Sequence, residues 1–377
     1  MRASLRFSLL ITLCMLSLFP VATTSAASAP QVGGPAINPI TSSYENATLT
    51  EDVSWRGLVV VKGALVIAPQ ATLRIEPGTE IRFMPAKAGH QLPRLVVMGR
   101  IQAVGTPEQP IIFSSSSAGP VKKGEWGGIV LLSSEKRNQL EQCRIEGAES
   151  ALEGRHSTIS LKSVVIGTSL TGIVLHDCIA DVTQSSISEC ETGIEAQDSE
   201  VELRDTTLTK NRRGAALYRS SVVMSSVTVS DNSRQGILAE ECRIKFTSSE
   251  VSGNAVGASI EGGEGQLFMC RFKRNTDTAL HLAAARLRIN RCQISENLRD
   301  GIRLEDGRAT IWGNAFSGNG GYNLVNAGGE AVSALQNWWG TDNEAALKGK
   351  ILDITPDGRS GAVHVFPWLL EKPVLMP

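Results

Sequence analysis

The strongest constraint on this chain is a register that recurs every 21 or 22 residues. Apolar side chains fall at Ile166, Ile187, Leu208, Val229, Val251, Phe272, Ile294 and Phe316, with spacings of 21, 21, 21, 22, 21, 22 and 22. Three residues after the last six of these stands asparagine: Asn211, Asn232, Asn254, Asn275, Asn297 and Asn319. Six or seven residues after the apolar position comes a small residue: Gly172, Gly193, Gly214, Gly236, Gly257, Ala279 or Gly301. Three columns holding one register identify a structural repeat. A unit this short cannot bury its own apolar side, so copies must stack.

Within each unit, apolar and polar residues alternate over three short runs, the period of a strand. One unit places Thr206 and Leu208, then Ala215 and Leu217, then Val222 and Met224 inward. The next repeats this with Val227, Val229, Ile237, Ala239, Ile244 and Phe246. Three strands and three turns per unit make one coil of an all-β, right-handed parallel β-helix, with coils about 4.8 Å apart. The asparagines read as left-handed turn residues whose amides bond from coil to coil. The glycines read as turn positions that a Cβ would oppose. A leucine-rich repeat is excluded because its Leu-x-x-Leu-x-Leu frame is missing, and a calcium-binding roll because Gly-Gly-x-Gly-x-Asp is missing.

The ends differ from the middle. Arg2 and Arg6, the apolar run from Leu9 to Val21, and Thr24-Ser25-Ala26 read as a signal peptide over 1–26. Residues 27–50 read as a flexible leader, and 51–336 as the β-helix. Its opening coils over 51–139 are irregular, with loops at 85–93 and 115–125, and its regular coils run over 140–336. Residues 337–377 read as a cap built on Trp338 and Trp339, a short helix from Glu344 to Ile351, and a last strand from Gly361 to Leu370. A cap is required because a final coil would otherwise expose its interior and unpaired backbone. Lys plus Arg (37) nearly equals Asp plus Glu (38), so bulk charge points to neither nucleic acid nor an anionic membrane. No segment after the leader is apolar enough to span a bilayer.

The opening Ile75-Glu76-Pro77-Gly78-Thr79 and Gly105-Thr106-Pro107-Glu108-Gln109-Pro110-Ile111, the Asn/Gly coils, and the closing Asn337-Trp338-Trp339-Gly340-Thr341 carry a resemblance. With the tail Val363 to Leu369, the chain resembles bacterial secreted right-handed parallel β-helix repeat proteins over nearly all of its expected mature length. The resemblance implies a pectin-lyase-like fold shared with carbohydrate-active proteins, many of whose members are not known to be enzymes.

Chemistry is sparser than architecture. Six cysteines follow the signal segment: Cys143, Cys178, Cys190, Cys242, Cys270 and Cys292. The register sets Cys178 and Cys242 three coils apart, beyond the reach of a disulfide. Cys270 and Cys292 fall in adjacent coils, where either a bond or stacked buried thiols fit. No paired Cys-x-x-Cys motif or histidine cluster supports a metal, and no cofactor motif appears. Pectin hydrolases of this fold share Asn-Thr-Asp, Asp-Asp, Gly-His-Gly and Arg-Ile-Lys in that order. Here Asn275-Thr276-Asp277 and Arg243-Ile244-Lys245 occur in reverse order without the other two, so the likeness does not extend to catalysis.

Three outward groups remain. Ser188, Thr207, Thr209, Thr228 and Ser230, with Ser186 and then Ser252 and Ser295, form a hydroxyl lattice suited to sugar or water. Tyr218, Glu240 and Glu261 lie along a second face, with the two carboxylates one coil apart, near the spacing of a retaining glycosidase pair. Arg243, Lys245 and Arg288, with Arg271, Lys273 and Arg286, offer cations to an acidic polymer. The expected function is therefore an exported, non-catalytic scaffold contacting a polysaccharide or another envelope component. A carbohydrate-active lyase, epimerase or hydrolase with an unrecognised site is the alternative, and a passive surface protein a third. Mass spectrometry of exported protein is expected to find Ala27 at the N-terminus; retention of residues 1–26 would refute the signal-peptide reading.

Overall fold

A computed structural model describes residues 40–86, 89–134, 136–353 and 360–374. It is a parallel β-helix, and every strand pairing recorded between its coils is parallel. Three strand ladders run along the axis. The first face stacks Val165–Gly167, Ser186–Ser188, Thr207–Thr209 and Thr228–Ser230, and continues in the same way toward the C-terminus. Longer strands form the second face, among them Thr171–His176, Thr192–Gln197, Arg213–Tyr218 and Gln235–Glu240. On the third face lie Ile179–Thr183, Glu200–Arg204, Ser221–Ser225 and Arg243–Thr247, within a fourteen-stranded sheet.

The apolar column is one continuous stack. Ile166 pairs with Ile187, then Leu208, Val229, Val251, Phe272, Ile294 and Phe316 in turn. It also extends upstream through Ile145, Phe113, Ile81 and Val59. The steps 59 to 81, 81 to 113 and 113 to 145 are 22, 32 and 32 residues. The two long steps contain the stretches between Phe83 and Arg94 and between Ser115 and Gly128, each joining a first-face to a second-face strand. Trp126, at the base of the second loop, stacks on Phe83 with centroids 3.9 Å apart and helps fill these wider coils.

Residues 40–49 of the leader expected over 27–50 belong to the fold instead. Ile40–Leu49 is a ten-residue strand running parallel to Leu58–Ile67, and Trp55 Nε1 donates to the Tyr44 hydroxyl at 3.2 Å. The alternation from Tyr44 through Ala47 to Leu49 packs partly buried residues against the core, so this segment begins the solenoid. The signal segment and residues 27–39 lie outside the described residues.

Most corners of the regular coils turn on a single left-handed residue, with Gly262 and Gly263 a left-handed pair. Lys210, Asp231, Arg274 and Glu296 have φ between 53° and 59° at the first corner. Asp177, Asp198, Arg219 and Glu241 do the same at the second, and Gln184, Asp205, Ser226, Met269 and Arg291 at the third. The asparagines are therefore not the left-handed residues themselves. They follow them and point inward, all almost fully buried. The N–H of Asn232 donates to Asn254 Oδ1 at 3.0 Å, while Asn232 Nδ2 donates to Leu208 O at 3.1 Å. Asn254 repeats this toward Asn275, and Asn297 toward Asn319.

Serine and cysteine serve the other corners in the same way. The N–H of Cys178 donates to Ser199 Oγ (3.0 Å), that of Ser199 to Ser220 Oγ (3.1 Å), and that of Ser220 to Cys242 Sγ (3.4 Å). A left-handed residue with a Cβ costs about 1 kcal/mol, and a buried hydrogen bond returns about the same net. Corners are thus close to neutral. Net stabilisation comes from the inward columns, at roughly 1.5–3 kcal/mol for each fully buried large aliphatic or aromatic side chain.

The glycine column also has a different cause from the one expected. Gly193, Gly214 and Gly236 are not left-handed; a Cβ on them would lie 2.5, 2.4 and 2.7 Å from the carbonyl oxygen of the next coil's glycine. They allow close approach between coils, not turn geometry.

The C-terminal end closes the stack. Trp339 is buried against Phe316, the last residue of the apolar column, with centroids 4.6 Å apart and planes at 10°. The Phe316 N–H donates to Trp338 O and the Trp338 N–H to Asn314 O, both at 2.8 Å. Asn319 Nδ2 donates to Asn323 Oδ1, whose own amide donates to Trp339 O, each at 2.9 Å. The helix is shorter than the segment expected, Glu344–Lys348, capped by Asn343 accepting from the Ala346 N–H. Two-residue strands Ile351–Leu352 and Val363–His364 complete the second and third ladders. Replacing Asn254 with Ala strands the buried Asn232 N–H, so chemical unfolding should show a loss of about 3 kcal/mol. The exposed Lys245→Gln should change stability by under about 0.5 kcal/mol.

Candidate functional site

The three groups of outward residues lie on three different faces and do not converge on one centre. On the first face, Thr207 pairs with Thr228 and Thr209 with Ser230, and the Thr209 and Ser230 hydroxyls are 3.1 Å apart. Ser188 adjoins Thr209 one coil earlier. The lattice stops after Ser230, because Ser252 and Ser295 are buried. There Glu250 meets Lys273 at 3.0 Å and Arg271 at 3.8 Å, and accepts from Ser252 Oγ at 3.0 Å. Partial burial pushes the Glu250 carboxyl up, but hydrogen bonds from Lys273 and Ser252 outweigh it and hold the group below its ordinary range. Arg271 and Lys273 therefore belong to this closed cluster, not to the basic group expected from sequence.

On the second face, Tyr218, Glu240 and Glu261 stack in successive coils and line a shallow hollow of about 400 Å³. Burial raises the Tyr218 hydroxyl, and the carboxylates of Glu240 and Glu195 push it the same way. Neither Glu240 nor Glu261 has a hydrogen-bond or ion-pair partner among the described residues. Nothing orients one as acid and the other as base. Sequence reasoning missed Ser259 on this face. Its Oγ lies 3.3 Å from His281 Nδ1, and His281 Nε2 lies 3.3 Å from Glu305 Oε2. Ser259 is 5% exposed, so the hydroxyl is shielded from a substrate, and a lone serine on a strand carries no sequence signal.

The third face holds a groove of about 740 Å³, reaching from the strand Arg243–Thr247 to Ser333. Its central column is Lys245, Gln266, Arg288, Thr310 and Ser333 in successive coils. Arg243, Glu264, Arg286 and Arg308 form its flank; Thr247, Phe268, Asn290 and Trp312 stand on the same face on the far side of that column, outside the groove, and Trp312 lines a separate hollow with Met269, Arg291 and Leu369. Gly265 takes an inward position between Ile244 and Leu287, where a Cβ would lie 2.3 Å from Ile244 O. The strand Glu264–Phe268 thus approaches the preceding coil more closely there than any side chain would allow.

Charges on the groove's flank are largely matched. Arg243 Nε is 3.4 Å from Glu264, and Arg308 grips Glu330 through two nitrogens at 2.5 and 2.8 Å. That grip holds the Glu330 carboxyl below its ordinary range. Lys245 and Arg288, in the centre, have no hydrogen-bond or ion-pair partner among the described residues, and both are exposed. Of the expected cations, Arg243, Lys245, Arg286 and Arg288 are brought together here.

All six described cysteines are free and buried. They occupy the inward corner positions that serine fills elsewhere, each thiol donating to the carbonyl two residues back, as Cys190 does to Ser188 O and Cys292 to Asn290 O. Burial pushes Cys143 up to about 12 and also raises Cys178, Cys190, Cys242 and Cys292, while a hydrogen bond from Cys292 lowers Cys270. Burial also shields all six from a reagent in solution. A thiol reagent at pH 8 should therefore label none of the six in folded mature protein and all six after denaturation; fewer after denaturation would reveal a disulfide.

Residues 43–159 match the family model of a pectate-lyase-like β-helix domain, and residues 121–269 that of a right-handed β-helix region. The chain is a pectin-lyase-like, right-handed parallel β-helix repeat protein. No curated protein matches it. Among solved structures, it is similar to the periplasmic alginate epimerase AlgG at 11% identity and a TM-score of 0.40, covering 86% of this chain and 76% of that one. It is also similar to tailspike protein 3 of bacteriophage CBA120, at 13% identity and 0.43, over 86% and 58% of the two chains. The catalytic domain of a GH87 α-1,3-glucanase follows at 11% and 0.38, over 78% and 67%. These likenesses assign no residue role. Among the described residues no helix is long and apolar enough to cross a membrane.

Proposed function

We propose that this chain is a non-catalytic scaffold that holds an extended, carboxylated polysaccharide along its third face, outside the cytoplasm. The observation that carries this reading is the pair Lys245 and Arg288, two exposed cations that line the groove and have no hydrogen-bond or ion-pair partner among the described residues. A cation left unpaired between matched neighbours is available to an incoming anion. Between and beyond the pair stand Gln266, Thr310 and Ser333, whose amide and hydroxyls suit sugar hydroxyls. The groove extends over five coils, about 19 Å at the spacing of paired strands, which favours an extended polymer over a compact ligand. Nucleic acid is a poorer match, because its affinity draws on many simultaneous phosphate contacts.

The reading is tested by incubating mature protein with polygalacturonate, hyaluronan and neutral dextran at low and high salt. Binding to carboxylated polymers alone is expected, weakening as salt screens the charges and falling at least tenfold in the Lys245→Gln/Arg288→Gln double variant. Binding unchanged in that variant, or binding to no carboxylated polymer, would overturn the proposal. Release of reducing or unsaturated ends would replace it with a depolymerising enzyme, and loss of that release in Glu240→Gln or Glu261→Gln would place the chemistry on the second face.

A further inference from the structure

The third-face groove differs from coil to coil in a way that constrains which carboxylated polymer fits it. Four successive strands present alternating pairs of outward side chains. Arg243–Thr247 offers Lys245 beside Thr247, and the next strand, Glu264–Phe268, offers Gln266 beside Phe268. Arg286–Asn290 then offers Arg288 beside Asn290, and Arg308–Trp312 offers Thr310 beside Trp312. Cation and aromatic ring thus alternate at one-coil steps. Like pairs recur every second coil, about 10 Å apart.

The flank adds charge unevenly. Arg286 stands beside Arg288 and makes that coil doubly cationic, whereas Arg243, beside Lys245, is matched by Glu264 of the next coil. The coil between them carries Glu264, and the coil after them carries Arg308, neutralised by Glu330. A carboxylate placed over the Gln266 and Phe268 coil would meet Glu264 instead of a free cation, and like charges at short range disfavour binding. A neutral sugar there meets an amide and an aromatic ring. Trp312 is 46% exposed, and an indole face supports the apolar face of a pyranose ring. An extended pyranose chain advances one sugar in close to one coil spacing, so each coil addresses one sugar.

We propose that the third face, through the groove and the aromatic side chains beside it, selects a polymer in which hexuronate and uncharged sugars alternate, over one whose every residue is charged. Lys245 and Arg288 take the carboxylates, while Phe268 with Gln266 and Trp312 with Thr310 take the neutral residues. This rests on the third face being the binding face, and it specifies which class of polymer that face takes.

The probes are hyaluronan, which alternates glucuronate with an uncharged N-acetylhexosamine, and polygalacturonate, charged at every residue, compared at equal carboxylate concentration. Hyaluronan is expected to bind at least tenfold more tightly and to change the fluorescence of the exposed Trp312. Trp312→Ala and Phe268→Ala should remove that preference while leaving polygalacturonate binding within about twofold, as expected when a stacking contact is lost. Glu264→Gln, a surface change that leaves the fold intact, should narrow the gap by strengthening polygalacturonate alone. Equal affinity for the two polymers in the wild type, or a preference that survives both aromatic substitutions, would overturn the inference while leaving carboxylate binding in place. Failure of both polymers to bind would overturn the underlying reading as well.

Discussion

The backbone N–H that follows each left-handed corner residue has to find an acceptor inside a dry interior, and the rest of the solenoid depends on how it does so. A strand ladder satisfies the groups along each face, but at a corner the chain changes direction. The inward residue there supplies the acceptor for the coil before it. Asparagine, serine and cysteine all meet this need, because each is small and carries a polar atom close to the backbone. That shared duty explains why residues as different as Asn254, Ser199 and Cys242 stand at equivalent places. It also explains why six thiols are kept in a protein whose fold uses no disulfide: at a corner a thiol is a less polar serine.

Interior and exterior are under separate rules. Inward, the same chemistry recurs coil after coil, because each layer must fit both the one above and the one below. Outward, adjacent coils share almost nothing. Hydroxyls on one face give way within a single coil to the ion cluster around Glu250, and the third face changes from Glu200 and Glu202 to Arg243 and Lys245 within two coils. A stack with a fixed pitch and a free exterior is a scaffold on which side chains can be set at regular intervals with little cost to stability.

The fold was legible because its determinants are periodic. A column such as Ile187, Leu208 and Val229 cannot be mistaken once its spacing is counted, and the same count assigned the three strands. What was not legible depended on backbone detail. The asparagines mark a left-handed turn, but the turn belongs to the residue before them, whose identity (Lys210, Asp231, Arg274) follows no pattern. The glycines signal a close approach whose partner, the next coil's carbonyl, is visible only in three dimensions. Ile40 to Leu49 reads as leader because its composition is polar, yet it pairs along its length. The site was least legible. Sequence found the cations but grouped Arg271 and Lys273 with Lys245, although they lie on different faces.

In the regular coils the corner bonds to asparagine, serine and cysteine run one way: each coil donates its N–H to a side chain of the coil that follows. Every internal coil is therefore a donor on one side and an acceptor on the other, like a brick with identical mortar faces. Removing or duplicating one whole coil leaves the bonding pattern intact, so solenoids of this kind can lengthen or shorten during evolution without redesigning their interior. The exterior is not so forgiving. A one-coil change puts every later outward residue out of phase with those before it, whereas a two-coil change restores the phase. Selection on a periodic surface would then act on coils in pairs, although the fold itself counts them singly.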